Sequence, residues 1–207
     1  MTPIIDISPR ISPRLAVFPG DTAFTREVLM DTARGDRITL STTRATVHLG
    51  AHADAPSHYQ QGGLTIDEQP LSLYVGPCEL LRVGVGPAGR VRVEDLPRRP
   101  VHERVLLATG TAPEPEHWSA NFAGIEPALV DALHQWGVRL VGIDTPSVDV
   151  ADSKDLPAHA RFAANDMAII EGLVLRDVPE GVYELIALPL AIEGADASPV
   201  RAVLRRL

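Results

Sequence analysis

Residues 37–59 read Arg-Ile-Thr-Leu-Ser-Thr-Thr-Arg-Ala-Thr-Val-His-Leu-Gly-Ala-His-Ala-Asp-Ala-Pro-Ser-His-Tyr. The first half, Arg37 to His48, is rich in Ile, Thr and Val and predicts a strand. The second half places His48, His52, Asp54 and His58 within eleven positions of a chain that has seven histidines in all. Neutral imidazole and carboxylate are ligands of a divalent transition metal such as zinc. His48 and His52 are four apart, which on a helix would put them on one face. Gly50 lies between them and Pro56 follows closely, so no helix is expected. The reading is a strand ending at His48 and a loop, His52 to His58, that folds back on the permissive backbone of Gly50.

Outward from this stretch, composition narrows the class. The chain of 207 residues can bury a sizeable core, and with no repeat or low-complexity linker it reads as one domain, 1–207. Its formal charge of −8 argues against a nucleic-acid partner, which requires a basic surface. Arg98, Arg99 and Arg104, and the C-terminal Arg201, Arg205 and Arg206, read as solvated edges. One cysteine, Cys78, allows no internal disulfide and suits a reducing compartment. Cys78 sits in an apolar run and reads as a strand residue, not a nucleophile. The N-terminus lacks signal-peptide regions, and no apolar stretch approaches membrane-spanning length. A cytoplasmic protein with no membrane partner is the expectation.

Along the chain, prolines at 3, 9 and 13 predict an extended, irregular segment 1–22, closed by a turn at Pro19-Gly20. Residues 23–30 and 37–48 predict a hairpin turning at Arg34-Gly35-Asp36. Further strands are expected at Glu79 to Val85, Arg104 to Thr109, Leu140 to Ile143, Ala168 to Ile170, Tyr183 to Leu190 and Pro199 to Leu204. Residues 112–124 read as a surface loop, with pocket lining as the second reading for His117 and Trp118. Leu129, Leu133 and Trp136 keep helical spacing, and Gly137 ends that helix. Residues 155–164 predict a second helix with Pro157 in its first turn and His159 near its start. Glu171 directly follows an apolar strand run, where a carboxylate is out of place without a partner. It therefore joins His159 as a second pair of candidate ligands.

Six candidates emerge: His48, His52, Asp54, His58, His159 and Glu171. Catalytic zinc keeps about three protein ligands and an exchangeable position. With Asp54 bridging, His48, His52 and Asp54 would hold one ion, and Asp54, His159 and Glu171 the other. His58 would stand beside them as proton carrier. This points to metal-assisted hydrolysis of an amide or ester. No Gly-x-Ser-x-Gly elbow, phosphate loop or Cys-x-x-Cys pair offers an alternative chemistry.

The segment His48-Leu-Gly-Ala-His52-Ala-Asp54-Ala-Pro-Ser-His58 resembles the signature of the cyclase-like metal-dependent hydrolases, and within them the bacterial kynurenine formamidases (arylformamidases). Phe18-Pro19-Gly20-Asp21-Thr22, Asp144-Thr145-Pro146-Ser147 and the region His159 to Leu173 extend the likeness over nearly the whole chain. Ala51 stands where the wider family has Thr, and Phe18 where the formamidase pattern often has Trp. The resemblance implies a swivelling β/β/α fold of the α/β class, a mixed sheet with few helices. It implies two Zn2+ per subunit bridged by Asp54, with His58 as proton donor and acceptor, and a homodimer. It implies hydrolysis of N-formyl-L-kynurenine to L-kynurenine and formate in tryptophan degradation, with Phe18 against the substrate's aromatic ring. A related hydrolase of another amide, lactone or cyclic imide is the second expectation.

Overall fold

A computed structural model describes residues 3–207, so residues 1–2 of the proline-rich segment lie outside the description. The strands and helices run β1 (Ile4–Asp6), β2 (Thr25–Met30), β3 (Leu40–Arg44), β4 (His52–Asp54), β5 (Val75–Arg82), β6 (Arg90–Val91), β7 (Arg104–Ala108), β8 (Gly124–Ile125), α1 (Pro127–Gln135), β9 (Leu140–Ile143), α2 (Pro157–Ala164), β10 (Ala168–Glu171), β11 (Gly181–Ile186), β12 (Ala197–Pro199) and β13 (Val203–Arg206). Nine of the strands form one mixed sheet in the order β1-β13-β11-β5-β7-β9-β10-β4-β12. Its centre, β5-β7-β9-β10, is parallel, and the flanking pairs are antiparallel. With two α-helices among the described residues, this is the mixed α/β sheet architecture expected from the sequence.

The sheet cannot be flat. β12 is the ninth strand in the order and β13 the second, yet Pro199 and Val203 are joined by three residues. Seven strand spacings in a plane would span roughly 34 Å, against about 14 Å that four extended steps can reach. The sheet therefore curls until its two ends approach. Ile7 and Leu204 from one end share a buried core with Ala51, Ala53 and Val200 from the other. Alternation along the central strands feeds two cores: Leu80, Leu106 and Ile170 face inward, while Leu81, Val105, Leu107 and Ile169 pack under the helices with Leu129, Leu133 and Phe162.

Four local expectations are corrected. The segment His52 to His58 is not a fold-back loop throughout. Its first three residues are β4, paired with β10 on one side and β12 on the other. Ala-Asp-Ala-Pro carries no strand propensity, and pairing on both edges overrides it. β3 ends at Arg44, so His48 sits in the irregular link after it and not at a strand end. The opening proline-rich segment supplies edge strand β1 against β13. Arg104 is not a solvated edge: it is buried and donates to the carbonyls of Leu73 and Ser72. Cys78, by contrast, is the strand residue expected, and burial pushes its thiol up to about 12. No helix among the described residues is long and apolar enough to cross a membrane.

Candidate metal centre

The site is assembled by register. In β4 the side chains of His52 and Asp54 point to one face because they are two apart, and Ala53 points into the inner core. β10 runs beside it with Glu171 opposite His52 and Ile169 opposite Asp54, which puts Glu171 on the same face. His159 comes down on that face from the first turn of α2. Two glycines permit the approach. Gly50 (φ 61°) folds the chain back before β4, as expected, and its carbonyl accepts from His52 Nδ1 at 2.9 Å. Gly172 (φ 67°) follows Glu171, and a Cβ there would lie 2.3 Å from the Gly50 oxygen. No other residue fits at 172 without pushing β4 and β10 apart.

All six sequence candidates meet here. Asp54 Oδ1 lies 3.0 Å from His48 Nδ1 and 3.4 Å from His52 Nε2. Its other oxygen, Oδ2, lies 3.5 Å from His159 Nε2. Glu171 faces both sides in the same way, with Oε2 3.3 Å from His52 Nε2 and Oε1 3.6 Å from His159 Nε2. His48, Asp54 and His58 each offer a ligand atom within 4.8 Å of the others, and so do His52, Asp54 and Glu171. Asp54 is common to both groups.

These residues suit a metal. Neither Asp54 oxygen has a well-directed hydrogen bond among the described residues, although the carboxylate is buried and imidazole nitrogens surround it. A buried carboxylate left that way is costly unless a cation completes it. The charges agree. Burial alone would lower His48 and His159, but the carboxylates of Asp54 and Asp196 raise His48 to about 9, and those of Asp149 and Asp54 raise His159 to about 10. His52 is raised too, by Glu171 and Asp54 against its burial. Asp54 is held well below the carboxylate range, since the imidazoles outweigh its burial.

In the metal-free site His48 and His159, raised to about 9 and about 10, keep their protons at neutrality, and a metal ion must displace them. Because the folded values lie above the ordinary 6.5, their stabilisation is complete below 6.5 and fades as pH rises through 9 to 10. Melting temperatures of the metal-free protein should therefore fall from pH 7 to 9.5, while the increment from added zinc grows. An increment that shrinks with rising pH would contradict a site closed by proton displacement.

Two residues that sequence reasoning did not single out complete the surroundings. Asp196 Oδ2 lies 3.0 Å from His48 Nε2 and 3.4 Å from His58 Nδ1. Asp149, fully buried, accepts from His159 Nδ1 at 2.9 Å. Nothing local in the sequence marks either Asp196 or Asp149 as more than a loop carboxylate. The centre opens into a cavity of about 890 Å³. Phe18 and Trp118 form part of its wall, edge to face with centroids 4.7 Å apart. Phe18 is 42% exposed, so it does not fill the core. Residues 112–121 run as a surface loop as expected, with His117 and Trp118 turned to the cavity, but Phe122 and Ala123 are buried and Gly124 opens β8.

Across residues 5–150, more than half of its length, the chain matches the Cyclase family model. Among solved structures it is similar to a potential metal-dependent hydrolase with cyclase activity, at 28% identity and a TM-score of 0.84 over 99% of this chain and 98% of that one. It is similar to a predicted metal-dependent hydrolase from Bacillus stearothermophilus, at 28% identity and 0.82 over 99% and 98%. It shares its fold with isatin hydrolase A from Labrenzia aggregata, at 21% identity and 0.81 over 99% and 94%.

Proposed function

This chain belongs to the Cyclase family, and on that premise we propose that it is a metal-dependent amidohydrolase acting on N-formyl-L-kynurenine. The observation that carries the reading is the convergence of four imidazoles and two carboxylates at a cavity walled by two aromatic rings. His48, His52 and Asp54 would hold one ion, and Asp54, His159 and Glu171 the other. Two divalent cations there would lower the pKa of water and polarise an amide carbonyl. The reading carries with it zinc as the metal, a homodimer and a cytoplasmic setting.

The chain's own residues supply the rest. Hydrolysis forms one carbon–oxygen bond, breaks the formyl carbon–nitrogen bond and delivers a proton to the departing aryl nitrogen. His58 is half-open to the cavity, with Nδ1 turned toward Asp196. Its Nε2 is thus the atom placed to pass that proton. Phe18 and Trp118 would seat the aryl ring. Lys154, the chain's one lysine, is exposed on the cavity wall with no ion-pair partner among the described residues. Its neighbours are engaged: Arg176 pairs with Glu114, and Arg82 donates to the Leu175, Arg176 and Val178 carbonyls. An unpaired ammonium suits a substrate that bears a carboxylate, as N-formylkynurenine does and isatin does not.

The test is absorbance-monitored turnover of N-formyl-L-kynurenine and of isatin by zinc-loaded protein. Preference for the formamide is expected. Turnover of isatin alone would move the assignment to a cyclic-amide hydrolase, the second reading, favoured by the shared fold with isatin hydrolase A. Replacing Phe18 by Ala should raise KM for the aryl formamide roughly 2- to 10-fold with a smaller effect on kcat, matching the ~0.5–1.5 kcal/mol of an aromatic pair. An unchanged KM would remove Phe18 from the substrate's path.

A further inference from the structure

Asp149 lies on the turn that follows β9 and belongs to neither carboxylate already placed at the metal centre. It is fully buried and ionic, and its oxygens gather every donor around it. Oδ2 accepts from His159 Nδ1 at 2.9 Å, from the His159 backbone N–H at 3.1 Å and from the Ala158 N–H at 3.1 Å. Oδ1 takes a second contact from the Ala158 N–H at 3.2 Å and an ion pair from Arg90 at 3.0 Å. A buried charge is tolerated only when paired and hydrogen-bonded in this manner. Arg90 reaches it from β6, outside the main sheet.

One carboxylate thus grips both the first turn of α2 and the imidazole that α2 delivers. The chain enters that helix through Leu156 at φ 43°, so the turn does not set itself. By accepting from Nδ1–H, Asp149 keeps the proton on Nδ1 and leaves Nε2 as the nitrogen that gives up its proton to a metal ion. That Nε2 is the atom facing Asp54 and Glu171. Carboxylate partners of metal-binding histidines act in this way, and losing one typically weakens metal affinity 10- to 100-fold.

We propose that Asp149 is a positioning residue that fixes the tautomer and direction of His159 for the metal ion that Asp54 and Glu171 would share, with Arg90 holding the Asp149 carboxylate in place. The proposal rests on the metal-centre reading above. A bland alternative is that Asp149 only caps α2.

The experiment is zinc titration of metal-free wild type and Asp149→Asn against a chromophoric chelator, with circular dichroism to confirm the fold. Asparagine still offers an oxygen to the backbone N–H groups, but it lacks the charge that holds Nδ1 protonated. Two equivalents in wild type, with one of them weakened about 10- to 100-fold in the variant and the other unchanged, is the expected result. Two unweakened equivalents in the variant would overturn the positioning role and leave the metal centre standing. No zinc bound by wild type would overturn the metal centre itself. If the variant does not fold, 15N-histidine NMR of zinc-loaded wild type decides. A protonated Nδ1 on His159 supports the proposal, and coordination through Nδ1 overturns it.

Discussion

Replacing Asp54 by Ala is expected to strip both metal ions at once. The reason lies in how its two oxygens are divided. Oδ1 faces His48 and His52, while Oδ2 faces His159. No other side chain stands in both groups of convergent ligand atoms among the described residues. Each site should weaken by more than the ~10–100-fold that loss of a mere outer partner costs. Turnover should fall at least about 10³-fold, given that a bound cation contributes several kcal/mol at the transition state and each 1.36 kcal/mol is tenfold. The metal-free variant should still fold, since the imidazoles that lose Asp54 can shed their protons and each keeps another carboxylate: Asp196 at His48, Glu171 at His52 and Asp149 at His159. Elemental analysis checks this. Retention of one ion at full occupancy would contradict the bridge.

The second large effect is expected at His58. His58→Ala should keep two ions per chain and lose ~10²–10⁴-fold in turnover, the usual range for a missing acid–base group. Its partly exposed side chain makes structural damage small. The variant also separates two arrangements that the geometry permits. His58 stacks at 4.2 Å centroid distance on His48 and belongs to a convergent group with His48 and Asp54. Loss of one ion in His58→Ala would make it a ligand and not the proton carrier. Wild-type turnover would exclude both roles.

The clustered side chains were more legible in the sequence than the strand that carries them. His48, His52, Asp54 and His58 announce themselves because four metal-capable side chains crowd into eleven positions. Glu171 was legible because a carboxylate at the end of Ala-Ile-Ile contradicts the burial of that run, and the structure does bury it against two imidazoles. The central strands and α1 followed from apolar runs and helical spacing. β4 was not legible. Its three residues are short and Ala-rich, and only β10 and β12 on either side make them a strand. Asp149 was hidden, and the pocket lining of Trp118 was only the second reading, for a related reason. Each sits in an irregular segment with no periodicity, and its role depends on distant partners, His159 and Phe18, that curling of the sheet and docking of α2 bring near. Arg104 looked like an edge charge because its satisfied partners are backbone carbonyls, which leave no trace in side-chain patterns.

The most direct measurement is turnover of N-formyl-L-kynurenine as zinc is added back stepwise to metal-free protein. No turnover is expected without metal, and the rise should level off at two equivalents per chain. Full turnover in the metal-free protein, or a plateau reached at one equivalent, would contradict the two-ion centre.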